Sequence, residues 1–324
     1  MKLAFIIDPI EKLDPSHDTS IAMMEAACIL GHEVWITQAW ELSVLDSTAW
    51  AYLERVEIIP VELIEGSYKV ANPWYKKLSN KTNICLETMD AVFMRTDPPV
   101  NDIYLYATYI LDYIDQRKTL VINSPQGIRG ANEKMYALQF TQAIPETIVS
   151  ADKQLIRQFV EAKGAAILKP LGNKAGEGIL FLEPGDRNFN SIVELSTTRG
   201  QVPVMLQTFL PEAKQGDKRI ILLDSEPVGA LNRLSAPGEF RNNMAAGGTV
   251  AQTEITPRER EICTQLAKTL HKDGLIFVGI DVIGGYLTEV NVTSPTGIRE
   301  IDRFSNTNLG KKVIQWVEHK IQSR

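Results

Sequence analysis

The residues best placed to do chemistry are one compact set of oxygen donors and a scatter of cations. Asp281, Glu289 and Asn291 interrupt apolar runs, where a polar or charged group needs a partner. Glu289 and Asn291 are two apart and would share one face of a strand. Oxygens of these types suit magnesium, with manganese as the alternative: such an ion takes a few protein oxygens and leaves positions for phosphates. Whether Asp281 joins them depends on the turn. A two-residue Gly284-Gly285 loop pairs Asp281 with Thr288 and sends Glu289 to the other face. A three-residue loop through Tyr286 pairs Asp281 with Glu289. A metal site therefore predicts the odd-length loop, and a two-residue turn counts against Asp281.

The cations point to anions. Lys169 ends the apolar run Ala166-Ile167-Leu168 and precedes a loop bearing Gly172, Gly176 and Gly178. Glycines let backbone N–H groups approach an anion, and the lysine adds a point charge. Lys134, in Asn132-Glu133-Lys134, is a second isolated cation. Met205–Pro211 begins as a strand and breaks, which suits pairing with the edge of an adenine beside Phe209 and Leu210. Arg219, Arg233, Arg241 and Arg299 follow along the second half. Arg241 lies in a run of small residues, 235–248, with the composition of a lid.

Other chemistries lose support. There is no Walker A box, GxGxxG, GxSxG or HExxH, and the four histidines have no partner spacing. Cys28, Cys85 and Cys263 are odd in number and far apart, which reads as a reducing compartment, cytoplasmic, with no zinc site. With 34 Lys+Arg against 40 Asp+Glu, the net charge of −6 argues against a general nucleic-acid or membrane-surface binder. No run approaches the roughly 18 apolar residues that span a bilayer.

The elements that must hold these groups fall into two textures. In the first third, strands at Leu3–Ile7, Val34–Ile36, Val56–Ile59, Ala91–Met94 and Leu120–Ile122 alternate with helical patterns, one capped by Asp18 or Thr19 and stopped by Gly31, another opened by Asn101. That argues a parallel α/β sheet. The turn cluster Asn123–Gly127 is the candidate boundary. Beyond it, helices are expected at Asn132–Phe140, Lys153–Lys163, Thr256 to about His271, and Asn306–Ile321. They are mixed with strands at Ala165–Lys169 and Ile179–Leu182 and with hairpin-like pairs at 219–231 and 277–290. Hairpins among helices suggest α+β. At 324 residues the chain suggests about two domains.

Taken in order, these elements resemble the prokaryotic glutathione synthetases of the ATP-grasp superfamily. The carrying residues are Ile7-Asp8-Pro9-Ile10, Met94-Arg95-Thr96-Asp97-Pro98-Pro99, Asn132-Glu133-Lys134, Ile167–Leu171, Gly216–Arg219, Ala245–Gly248, Gly274–Gly279 and, most specific, Thr288–Glu300. The resemblance spans nearly the whole chain. It implies an N-terminal Rossmann-like parallel-sheet domain, residues 1–124, then a two-lobed ATP-grasp domain, 125–324. The latter would hold a lid subdomain at about 141–206 and a catalytic subdomain at about 207–324.

The same resemblance implies ATP-dependent ligation of γ-glutamylcysteine and glycine to glutathione, and a homotetramer. ATP phosphates would be held by Lys134 and Lys169, with Gly176 and Gly178 in the loop, and adenine by Gln207, Thr208, Phe209 and Leu210. Asp281, Glu289 and Asn291 would hold Mg2+ or Mn2+. Arg219, Arg233 and Arg241 would stabilise the transferring phosphoryl group and the tetrahedral oxyanion. Arg95, Ser294 and Arg299 would bind substrate. Two departures stand out: the glycine loop, Gly172–Gly178, is about one residue longer than the familiar form and carries Lys174, and the lid reads Arg241-Asn242-Asn243 in place of Arg-Gly-Asn. Another ATP-grasp ligase, acting on D-alanine or a peptide, would share the ATP and metal residues but not the 94–99 or 293–300 blocks. A non-catalytic nucleotide-binding protein would not need Lys134, Lys169 and the carboxylates together.

Overall fold

The structure is a computed structural model describing every residue except 175, 237, 239–241 and 243–246. Four parallel strands, in the order Leu120–Ile122, Ala91–Met94, Lys2–Ile6 and Glu33–Thr37, form the heart of the first sheet. Their residues are apolar on both faces because both faces are covered. Leu3 and Phe5 pack with the helix Thr19–Ile29 and the last helix, Leu309–Gln322. Ala4 and Ile6 pack on the opposite side with Tyr104, Ala107 and Leu111 of the helix Asp102–Leu111. Phe5 stacks on Phe93, centroids 4.5 Å apart.

The sheet is not parallel throughout. After Glu33–Thr37 the chain makes one 3-10 turn, not a crossover helix, and folds back as the hairpin Leu42–Leu45 with Thr48–Ile58. Asp46 and Ser47 turn the corner at φ 48° and 58°, the left-handed pair that a two-residue hairpin loop requires. Thr48–Ile58 then runs antiparallel to Glu33–Thr37. Without a helical crossover, a following strand can pair only antiparallel with its neighbour.

The second sheet is antiparallel, in the order Thr147–Ser150, Val204–Thr208, Ala166–Pro170, Leu180–Leu182. Its core joins Ala166, Leu168, Val204 and Leu206 to Ile156 and Val160 of the helix Lys153–Lys163. The third sheet is also antiparallel, in the order Thr249–Gln252, Glu226–Leu234, Asp217–Leu223, Phe277–Ile283, Tyr286–Asn291. The helix Pro257–Lys272 contributes Ile262, Cys263, Leu266 and Leu270 to the core beneath that sheet. It opens on a capping box: Glu259 N donates to Thr256 Oγ1 and Thr256 N to Glu259 Oε2.

Two expected helices differ. The stretch expected at Asn132–Phe140 is helical only as a 3-10 segment, Met135–Gln139. The last expected helix begins three residues later, as Leu309–Gln322 under an Asn308 cap, and a further helix that was not expected, Ile298–Ser305, precedes it and ends at Asn306 in the left-handed conformation. At the turn cluster, Ser124 caps the short helix Pro125–Gly130. Just before it, Asn123 is 4% exposed and its amide makes four hydrogen bonds. Nδ2 donates to the carbonyls of Phe277 and Val292 at 2.9 and 2.8 Å, and Oδ1 accepts from the backbone N–H groups of Ile276 and Phe277 at 2.8 Å each. One side chain thus ties the end of the first sheet to the third. Among the described residues, no helix is long and apolar enough to cross a membrane.

Candidate active site

The hairpin Phe277–Ile283/Tyr286–Asn291 carries the oxygen donors. Its tip is the two-residue turn Gly284-Gly285, with φ of 56° and 78°, and Ile283 pairs with Tyr286. The expected three-residue loop is therefore wrong. The pairing it was meant to secure is nonetheless present, because the register shifts between Asp281 and Val282, so that Asp281 faces Glu289. Thr288 is the extra residue, and its Oγ1 donates to the Asp281 carbonyl at 3.2 Å. A β-bulge restores the parity that an odd loop would have supplied. Asn291 Nδ2 reaches Asp281 Oδ2 at 3.3 Å.

Asp281, 3% exposed, is enclosed by cations from the neighbouring strands. Arg219 lies directly opposite it, and its Nε and a terminal NH2 grip the two carboxylate oxygens at 2.5 and 3.0 Å. Arg233 reaches Asp281 at 2.9 Å and Asp217 at 2.6 Å. Burial alone would raise the Asp281 pKa, but the two guanidiniums hold it well below the usual carboxylate range. Asp217 goes the other way: burial and the Asp281 charge lift it, despite Arg233. Of the two, Asp281 keeps its charge to the lower pH.

These donors fit a hard divalent cation. Two carboxylates and an amide sit on one hairpin face, and among the described residues no group of three or more His, Cys, Asp or Glu side chains forms a fuller cage. A sparse oxygen set of this kind suits an ion that keeps positions for phosphate and water.

Two cavities meet at this face. The first is a cleft between the second and third sheets with about 880 Å³ of empty space, part of it open to solvent. Lys134, Lys169, Gly176, Gln207, Thr208, Phe209 and Leu210 line it, with Asp281 and Glu289 at its inner end. Lys134 Nζ donates to the Asn173 carbonyl at 2.7 Å and lies 3.1 Å from Glu289. Lys169 Nζ donates to Gln207 Oε1 at 2.5 Å, and burial lowers its pKa against the opposing pull of Glu289. Phe209 meets the edge of Phe181, centroids 5.1 Å apart. The second cavity, about 800 Å³, is lined by Arg219, Arg233, Asn291 and the turn Thr293–Thr296, and shares Lys174, Asp281 and Glu289 with the first. A long, partly apolar chamber and a polar one therefore open onto the same carboxylate pair.

Residues 1–129 match the N-terminal domain of prokaryotic glutathione synthetase, and residues 133–306 match its ATP-grasp domain. The chain belongs to the prokaryotic glutathione synthetase family. Glutathione synthetase from Nostoc sp. is 76% identical, covering 99% of each chain. The Synechocystis sp. protein is 64% identical over 98% of this chain and 99% of its own, and that of Nitrosomonas europaea 39% over 99% and 98%. The chain is an ATP-dependent ligase. The fold is shared more widely. The ATP-grasp ligase PsnB superposes with a TM-score of 0.63 at 18% identity, covering 98% of both chains. D-cycloserine synthetase DcsG gives 0.66 at 13%, covering 99% of this chain and all of its own.

Some expected site residues of this chain lie elsewhere. Gly178 does not line the first cavity; it bends the loop at φ 70°, where a Cβ would sit 2.9 Å from Pro170 Cγ. Arg95 is buried: its Nε donates to Ser20 Oγ at 3.0 Å and its NH2 to the Pro295 carbonyl at 2.9 Å, so it supports the 293–296 turn from behind. Arg299 faces away from both cavities, bound to Glu25 at 2.5 Å beneath the Tyr68 ring. Ser294 does line the second cavity. Arg241 lies outside the described residues. Among the lining residues that escaped sequence reasoning as site residues are five charged ones, Asp97, Glu133, Lys174, Glu177 and Asp217. Glu133 anchors the Val292 and Thr293 backbone N–H groups through one oxygen, at 2.9 and 3.1 Å. Asp97, Glu133 and Asp217 stood in the quoted motifs, and that adjacency was the available signal.

Proposed function

We propose that this chain joins γ-glutamylcysteine to glycine with ATP, giving glutathione, ADP and phosphate through an acyl phosphate. The observation that carries the reading is the meeting of two cavities at Asp281 and Glu289, in a chain 76% identical to a glutathione synthetase. ATP would lie in the first cavity, its adenine against Gln207–Leu210 and its phosphates toward Lys134 and Lys169. The acceptor carboxylate would enter the second, beside Ser294.

The carboxylate oxygen attacks the γ-phosphorus, and the bond to the β–γ bridging oxygen breaks with departure of ADP. Glycine's amine then attacks the acyl carbon, phosphate leaves with the C–O electron pair, and the amine's surplus proton passes to solvent. Phosphoryl transfer depends chiefly on positioning and charge neutralisation. Arg219 and Arg233, fixed by Asp281 and Asp217, line the acceptor side where the transferred group must pass, and Arg241 is proposed to join them. Asp281, Glu289 and Asn291 would hold Mg2+ or Mn2+, which supplies charge neutralisation between the phosphates when bound.

The proposed units are residues 1–124, a lid at about 141–206 and a catalytic part at about 207–324. Three free cysteines suit the cytoplasm. The proposed homotetramer would cover the exposed apolar residues Ile103 and Tyr106 of the helix Asp102–Leu111. The deciding assay supplies ATP, magnesium, γ-glutamylcysteine and glycine, and follows phosphate and the thiol tripeptide. Phosphate release with D-alanine but no tripeptide would overturn the reading. Glu289→Ala should abolish turnover while the circular dichroism spectrum is unchanged; retained turnover would refute its metal-holding role.

A further inference from the structure

Lys174 is the residue by which this glycine loop departs from the familiar pattern, and its position is informative. Among the described residues, only Lys174, Asp281 and Glu289 line both cavities. Two of these are carboxylates. Lys134 and Lys169 line the first cavity alone, Arg219 and Arg233 the second alone. Lys174 is thus the one described cation common to the chamber the phosphoryl group leaves and the chamber it enters. Its Nζ is 2.8 Å from Asp97 Oδ2, on the far wall of the second cavity. The two side chains are 45% and 44% exposed. An ion pair this open to water contributes little and is readily exchanged. A terminal phosphate is a stronger partner, with more charge and more acceptor oxygens. The loop itself is anchored independently: Lys134 holds the Asn173 carbonyl and Asn132 the Leu171 carbonyl, at 2.7 and 3.0 Å. Lys174 can therefore change partner while the loop backbone stays in place.

We propose, resting on the functional reading above, that Lys174 is a further phosphoryl-binding residue, held by Asp97 until ATP arrives and then transferred to the γ-phosphate. Asp97 is its competing internal ligand. The two residues should then act in opposite directions on nucleotide affinity, which a merely structural latch would not do.

The test is calorimetric titration of the whole chain, with magnesium, using a non-hydrolysable ATP analogue and, separately, ADP. Lys174→Gln should weaken the analogue by about ten- to a hundredfold, the loss of one charge-assisted hydrogen bond. ADP affinity should stay within about twofold, because the missing contact is to the third phosphate. Lys174→Arg should restore most of the loss. Asp97→Asn should tighten the analogue severalfold. Equal weakening of analogue and ADP by Lys174→Gln, or weakening by both variants, would overturn the proposal. These titrations need only nucleotide in the first cavity. They can succeed even if the unmodified protein makes no glutathione, which would sink the functional reading instead.

Discussion

A buried charge is defined by its partner, and Arg299 shows why that matters. It is 6% exposed and bound at 2.5 Å to Glu25, with its guanidinium 5.4 Å from the Tyr68 ring centroid. Tyr68 also donates its hydroxyl to the Arg299 carbonyl at 2.7 Å. Removing one member of such a pair leaves an uncompensated buried charge. Arg299→Ala is therefore expected to lower stability by about 3–5 kcal/mol, read from urea unfolding. The KM for γ-glutamylcysteine in the folded variant should change by less than about twofold. A KM raised roughly tenfold with stability unchanged would return Arg299 to the substrate site. Types and spacing showed that arginines, lysines and hairpin oxygens belong to an anion site. They did not show which arginine faces the cavity, because that is set by partners hundreds of positions away, such as Glu25.

At the scale of the element, the legible parts were those with local signals at both ends. The helix Lys153–Lys163 lies where expected, with Asp152 accepting from Gln154 and Leu155 and Gly164 closing at φ 75°. Thr48–Ile58 was seen only at its end, since its eleven residues alternate between core and solvent and pair with four different strands. The hairpin that bears Asp281 and Glu289 was legible as a hairpin but not in its turn, because a bulge has no sequence mark of its own. The junction of Ile298–Ser305 with Leu309–Gln322 carries a pH dependence. Asp302 accepts from Thr307 Oγ1 at 2.8 Å and Leu309 N at 2.9 Å. Burial outweighs these bonds and pushes its pKa up to about 6. The folded chain then keeps a proton that the unfolded chain releases near pH 4, so this group's contribution falls as pH rises from about 4 to about 6. Asp302→Asn should remove that decline. Urea midpoints of the two proteins should diverge in the variant's favour across the interval, and parallel curves would contradict the assignment.

At the scale of the molecule, the first cavity is walled by two sheets that share no strand. A nucleotide bound there must stabilise their mutual placement. An ATP analogue with magnesium at 100 times its Kd is expected to add about 2.7 kcal/mol and raise the thermal midpoint. An unmoved midpoint at saturation would mean that the cavity is not the nucleotide site. Asn123 is one of the ties that place the first sheet. Its amide occupies two carbonyls and two N–H groups at the base of the third sheet, yet in the chain it opens the turn cluster where sequence suggests a boundary. A cut after residue 124 would carry that side chain away with the wrong half. Residues 125–324 made alone would present four bare backbone groups at the root of the hairpin that bears Asp281 and Glu289. The seam visible in the chain is therefore not a seam in energy, and the two halves are poor candidates for exchange as modules.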